Sequence, residues 1–215
     1  MTQGIAFFDF DDTLARGDSI LPFLLYCIRK RISPRRQLVK AAGAFLYWKL
    51  RPSRAKSATL SFLKGRSADE MLDVARAFFR DEYLPRFYQD GLTELWSLRS
   101  QGMKLVVVSA SPDVYMRALP EFMPLDAVLS TRCEVGGDGR YTGQVGENCK
   151  GEEKVRRIKQ YLKENGFVLD MKCSSAYGDS PSDADMMALV NRAVLVNPKK
   201  ALLRRRPDGI VVHWT

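Results

Sequence analysis

The chain has 215 residues, 46% hydrophobic and 27% charged, an ordinary globular composition with length for one substantial domain or a domain carrying an inserted lobe. Its net charge is +9, yet residues 16–66 hold 13 Lys or Arg against the single acid Asp18, so the surplus lies in that segment and the remainder carries −3. Four scattered cysteines (Cys27, Cys133, Cys149, Cys173) exclude a disulfide scaffold and a C-x-x-C zinc site, and the apolar runs are too short to span a bilayer. A cytoplasmic protein without a cleaved secretory signal is expected.

In chain order, Ile5–Phe10 is a short apolar run ended by acids and reads as a buried parallel strand. After Gly17 the pattern turns helical. Asp18 and Ser19 are placed to cap a helix toward Arg31, Ser33-Pro34 opens a second toward Leu50, and Pro52-Ser53 a third toward Lys64. Ser67 and Glu70, at capping-box spacing, mark the entry to a fourth. Residues 17–85 are therefore expected to form an all-helical insert between core segments 1–16 and 86–215. From Leu92 a helix runs to Gln101, Gly102 stops it, and Met103–Ser109 forms a second buried strand. Pro112 starts a helix, Ala127–Ser130 is a third strand, and Gly136–Gly139 a turn between short extended pieces. Lys150–Asn165 is an amphipathic helix. Strands at Ser174–Tyr177, Ala193–Val196 and Ile210–Val212 alternate with helices Ser182–Val190 and Lys199–Arg206. Such alternation predicts an α/β fold, a doubly wound, mostly parallel Rossmann-like sheet.

In open parallel sheets ligands bind beyond the carboxyl ends of the strands. Asp9 and Asp11, Ser109 and Ser111, and Asp179 and Asp183 all fall at such ends. Acids gathered this closely repel one another unless a cation sits among them, and an all-oxygen set favours a hard ion such as magnesium. Phosphoryl transfer needs an in-line nucleophile, positive charge on the equatorial oxygens and a proton donor for the leaving group. Asp9 can attack phosphorus to form an aspartyl-phosphate, and Asp11 can protonate the leaving oxygen and later activate water. Lys150 stands where a cation opposes the helix dipole, a conflict that a bound phosphate resolves, and Ser109 can donate to the same oxygens. The chain has one histidine, no Cys-x-x-x-x-x-Arg loop and no Gly-x-x-x-x-Gly-Lys-Ser/Thr loop, which excludes histidine-rich binuclear sites, cysteine phosphatases and P-loop nucleotidases.

Asp9-Phe10-Asp11-Asp12-Thr13-Leu14, Ser109, Lys150 and Gly178-Asp179-Ser180-Pro181-Ser182-Asp183, in that order, resemble the four motifs of haloacid dehalogenase superfamily phosphatases. The helical insert is similar to the C1 cap of subfamily IB, the phosphoserine-phosphatase-like members. The resemblance implies Asp9 as nucleophile and Asp11 as acid/base. It implies magnesium (Mg2+) held by the Asp9 carboxylate, the Asp11 main-chain carbonyl and Asp179, with Asp183 in support, and phosphate held by Ser109 and Lys150, Lys154 being the competing lysine.

The insert bears on the substrate. Asp18 stands where phosphoserine phosphatases carry an acid for the substrate amine, whereas Lys56–Leu60 offers no arginine for a carboxylate. The basic insert and its aromatic stretch Leu38–Arg54, with Phe45, Tyr47 and Trp48, fit a lipid phosphomonoester such as phosphatidylglycerophosphate and peripheral contact with an anionic membrane. A small phosphomonoester such as phosphoserine and a lipid head group therefore both stand as substrate classes. No nucleic-acid partner is expected. The competing reading from another class is a catalytically silent module whose basic cap holds nucleic acid or an acidic partner; the complete motif set argues against it.

Overall fold

A computed structural model describes residues 2–34, 36 and 58–215. Its strands, in chain order, are β1 (Thr2–Gln3), β2 (Ile5–Phe8), β3 (Lys104–Pro112), β4 (Ala127–Thr131), β5 (Cys133–Val135), β6 (Tyr141–Val145), β7 (Val168–Leu169), β8 (Ser175–Gly178), β9 (Arg192–Val196) and β10 (Ile210–Val212). Six of them form one sheet in the order β10-β9-β8-β2-β3-β4, with every neighbouring pair parallel. The central strand is β2, where Phe8 pairs with Val107 on one side and Tyr177 on the other.

Successive residues of the central strands feed two separate cores. Ala6, Phe8, Leu105, Val107 and Tyr177 pack on one face with Leu95 and Leu98 of the helix Gln89–Ser100. Ile5, Phe7, Val106, Val108 and Ala176 pack on the other with Ile158 of the helix Glu152–Glu164 and with Met186, Met187 and Leu202. Both faces are covered, so these strands read as unbroken apolar runs without alternation. The chain leaves β2 for β3 on one side and returns to β8 on the other, which makes the β2/β8 boundary the topological switch point, the place where open parallel sheets bind ligands.

Between β2 and β3 the described residues carry the helices Ile20–Arg29 and Ala68–Phe78, the second capped by the Ser67 hydroxyl, which accepts from the Glu70 amide. A five-residue π-helical turn, Phe79–Tyr83, leads back to the sheet. Phe10, directly after Asp9, sits among Phe79, Tyr83 and Phe87 with ring centroids 5.9–6.3 Å apart. Arg66 and Gly65 join the antiparallel β5–β6 hairpin through main-chain bonds, Tyr141 N to Arg66 O at 2.9 Å and Gly65 N to Tyr141 O at 2.8 Å. All but Ser33, Pro34 and Arg36 of the expected helix from Ser33 to Leu50, most of the one from Pro52 to Lys64, and the basic aromatic stretch Leu38–Arg54 lie outside the described residues. What is described of the third ends in a turn of 3-10 helix at Ser61–Leu63.

Candidate active site

The β2 strand ends at Phe8, and the next residue, Asp9, still donates its amide to Tyr177 O at 2.9 Å. That bond carries the strand direction one residue beyond its last ladder pair, so the Asp9 side chain emerges at the switch point. Asp12 then adopts a left-handed backbone, φ 59°, and its Oδ1 accepts from the Gly17 amide at 2.8 Å. Short polar side chains tolerate this conformation because they hydrogen-bond locally. Asp12 thus closes the turn that brings Asp11 back beside the sheet.

On the opposite side of the switch point, β8 delivers Asp179, and the 3-10 turn Pro181–Asp183 folds Asp183 beneath it. Asp183 Oδ2 accepts from Ser180 N at 3.0 Å and from Ser180 Oγ at 2.9 Å, while Oδ1 faces Lys154 Nζ at 2.7 Å. Gly178 makes room for this turn: a Cβ there would lie 2.6 Å from Asp183 Cβ. Asp9, Asp179 and Asp183 each offer a carboxylate oxygen within 4.8 Å of the others, the one such cluster among the described residues. Asp179 Oδ2 is buried and has Lys199 Nζ 2.5 Å away as an ion pair. An all-oxygen donor set of this size suits a hard divalent cation.

Lys154, and not Lys150, is the lysine at this site. Its amine is buried, 2.7 Å from both Asp9 Oδ1 and Asp183 Oδ1. The expectation for Lys150 is corrected by the helix start: Gly151, at φ 59°, turns the chain into the helix Glu152–Glu164. Lys154 then projects from its first turn into the sheet, while Lys150 stays exposed in the preceding loop.

Burial dominates the electrostatics. It raises the Asp9 carboxyl well above the ordinary carboxylate range, helped by the Asp183 charge and opposed by Lys154. Asp11 is pushed up to about 7 by burial and then by the charge of Asp18. Asp179 rises to about 6, again through burial, with Lys199 pulling the other way. For Lys154 burial alone would lower the amine, but Asp183 and Asp9 together raise it above the usual lysine value. It therefore stays a cation next to the carboxylates.

Asp11 stands apart from the acid cluster. Its Oδ1 accepts from the Ser19 amide at 2.9 Å and its Oδ2 from Ser111 Oγ at 2.5 Å. Ser109 is buried two residues past Val107, the partner of Phe8, and its hydroxyl accepts from Ser111 N at 3.0 Å; that contact uses a lone pair and leaves the proton for another acceptor. Asp18 is exposed, and its side chain accepts from the Ile20 amide at 2.9 Å.

Three contributors escape sequence reasoning. Ser19 was expected to cap its helix, but no such bond forms and its hydroxyl meets Ser111 and Tyr115 instead. Tyr115 carried no signal. Lys199 lies three residues past the end of β9, so the strand-end rule that singles out Asp9 and Asp179 also reaches it.

An open parallel sheet with buried carboxylates at its switch point and a helical segment inserted after its first strand defines a class of α/β proteins with an acidic site at the strand ends. Residues 6–188 match the model of the haloacid dehalogenase-like hydrolases. The protein CicA of Caulobacter vibrioides is 31% identical over 191 residues, 86% of this chain and 82% of that protein. A histidinol-phosphatase of Neisseria meningitidis serogroup C is 26% identical over 206 residues, 93% of each. Among solved structures, a protein of unknown function from Bordetella pertussis Tohama I superposes with a TM-score of 0.86 at 23% identity over 99% of both chains. A substrate-bound phosphoserine phosphatase does so at 0.66 and 20%, over 99% of this chain and 93% of that one. At those identities the structural matches bear on the fold alone. The chain belongs to the haloacid dehalogenase-like hydrolase family and is a hydrolase with phosphatases among its named relatives.

Proposed function

We propose that this protein is a magnesium-dependent phosphatase that hydrolyses a small phosphomonoester through an aspartyl-phosphate on Asp9. The observation that carries the reading is the meeting of Asp9, Asp179 and Asp183 within 4.8 Å at the switch point, with Lys154 Nζ 2.7 Å from Asp9. The Asp9 carboxylate, the Asp11 main-chain carbonyl and Asp179 are the residues that would hold Mg2+, with Asp183 orienting Lys154 and supporting the shell. Bound there, the ion supplies positive charge for the phosphate oxygens and offsets repulsion between the acids.

The residues divide the work. Asp9 attacks phosphorus as the P–O bond to the leaving group breaks. Asp11, whose carboxyl is pushed up to about 7, hands its proton to the departing oxygen. Water then cleaves the aspartyl-phosphate, returning a proton to Asp11 and releasing inorganic phosphate with Asp9 restored. Lys154 and the Ser109 hydroxyl hold phosphate oxygens through charge and a donated hydrogen bond. Residues 17–85 act as the cap over this site, and Asp18, just ahead of its first helix, contacts the substrate.

A histidinol-phosphatase among the relatives of this chain supports a small phosphomonoester as the substrate. The basic stretch behind the lipid reading lies outside the described residues, and among the described ones no helix is long and apolar enough to cross a membrane. Magnesium-dependent release of p-nitrophenol from p-nitrophenyl phosphate tests the reaction class. It should fall at least ~1,000-fold in Asp9→Asn, and turnover that survives the change would overturn the assignment. A panel with phosphoserine, histidinol phosphate and phosphatidylglycerophosphate in vesicles tests the substrate class, and preference for the lipid would reject the small-molecule reading.

A further inference from the structure

We propose that Ser111 is a positioning residue for Asp11, the last link of a buried hydroxyl chain, Tyr115 to Ser19 to Ser111, that holds the Asp11 carboxyl in one orientation. The inference rests on the reading of Asp11 as general acid. Ser111 Oγ lies 2.5 Å from Asp11 Oδ2 and 2.9 Å from Ser19 Oγ, which lies 2.8 Å from Tyr115 OH. All three hydroxyl residues are buried.

Proton counting gives the chain a direction. Each hydroxyl has one proton, and Asp11, once its own proton has gone to the leaving group, only accepts. Ser111 therefore donates to Asp11, Ser19 to Ser111 and Tyr115 to Ser19. Ser19 completes the grip from the backbone, its amide donating to Asp11 Oδ1 at 2.9 Å. The two oxygens of one carboxylate are thus held from segments 8 and 100 residues away along the chain. Ser111 also donates its amide to Ser109 Oγ at 3.0 Å, so one residue registers the acid against the hydroxyl proposed to hold phosphate. A core needing only volume at position 111 would take alanine, because a buried hydroxyl costs desolvation that only a made hydrogen bond offsets.

A device that aims a general acid matters only where the leaving group needs a proton. An alkoxide does, whereas p-nitrophenolate leaves as a stable anion, so loss of aim shows as a change in leaving-group selectivity. The value to compare is kcat/KM, because it covers transfer to Asp9, the step in which the leaving group departs.

The experiment measures kcat/KM on an alkyl phosphomonoester and on p-nitrophenyl phosphate for the wild type, Ser111→Ala, Tyr115→Phe and Asp11→Asn, with folding checked by circular dichroism and thermal melting. Ser111→Ala should lose ~30-fold on the alkyl ester and less than ~3-fold on the aryl ester. Tyr115→Phe, which keeps the ring, should shift the same ratio by ~5-fold. Equal losses on both esters in Ser111→Ala and Tyr115→Phe, with Asp11→Asn still selective against the alkyl ester, overturn the positioning role alone. If Asp11→Asn itself shows no such selectivity, the general-acid reading fails and this inference goes with it. Should Ser111→Ala not fold, the ratio in Tyr115→Phe decides.

Discussion

Lys154 carries two opposing demands, since a buried ammonium is costly by itself and two buried carboxylates are costlier without it. Nζ touches both Asp9 and Asp183 at 2.7 Å, with all three side chains withdrawn from solvent. Breaking such a pair from one side leaves uncompensated charge, which costs ~3–5 kcal/mol. Lys154→Met should therefore lower unfolding free energy in urea by about 3 kcal/mol at pH 8. The loss should be smaller at pH 5, where a proton more readily neutralises Asp9, whose carboxyl burial raises. Lys150→Met, at an exposed position, should change stability by less than ~0.5 kcal/mol. Comparable losses in the two variants would contradict the placement of the lysine. The acids themselves make a second prediction. Asp179, raised to about 6 by burial, binds its proton more tightly folded than unfolded. Its contribution to stability is thus complete below its unfolded value of about 3.9 and is lost as pH rises through about 6. A divalent cation competes with those protons, so magnesium should raise the melting temperature little at pH 5 and clearly at pH 8. An equal rise at both pH values would count against the acid cluster as the metal site.

At the scale of elements, the turn after β8 shows how a backbone requirement serves a side chain. Gly178 and Asp183 belong to one tight loop, and a methyl group on Gly178 would meet Asp183 Cβ at 2.6 Å. Neither partner there is the far end of a flexible side chain. Gly178→Ala should cost about 1–3 kcal/mol of stability and displace the carboxylate that orients Lys154. Activity in p-nitrophenyl phosphate hydrolysis should then fall more than the loss of folded protein explains. A variant with full activity per folded molecule would show that Asp183 tolerates the shift. The order of strands and helices was legible in the sequence, because apolar runs bounded by glycine, proline and acids mark both-face-buried strands. Helix starts were less so: the expected start at Lys150 falls two residues early, since Gly151 takes a left-handed turn that no periodicity announces. The expected helix Ser182–Val190 resolves into a 3-10 turn followed by the short helix Ala184–Met187.

Across the whole molecule, the segment between β2 and β3 meets the β5–β6 hairpin away from its two chain connections. Gly65 and Arg66 extend the β5–β6 hairpin, Ala68 N donates to Gly139 O at 2.9 Å, and Arg140 reaches Gly65 O at 2.9 Å. Main-chain bonds of this kind exchange their protons only when the contact opens. The amides of Gly65, Ala68 and Tyr141 should thus be protected together in hydrogen exchange, and rates typical of free loops would show that this tether does not persist. The sequence by itself determined the alternation of strands and helices, the acids at the strand ends and their order along the chain, because local pattern and strand-end chemistry are written in neighbouring residues. Only the tertiary structure decided that Lys154 reaches Asp9, that Lys199 lies against Asp179, and that Ser19, Ser111 and Tyr115 close on Asp11. Those contacts join residues up to 145 positions apart, and which side chain arrives is set by helix phase and turn geometry that a single sequence does not display.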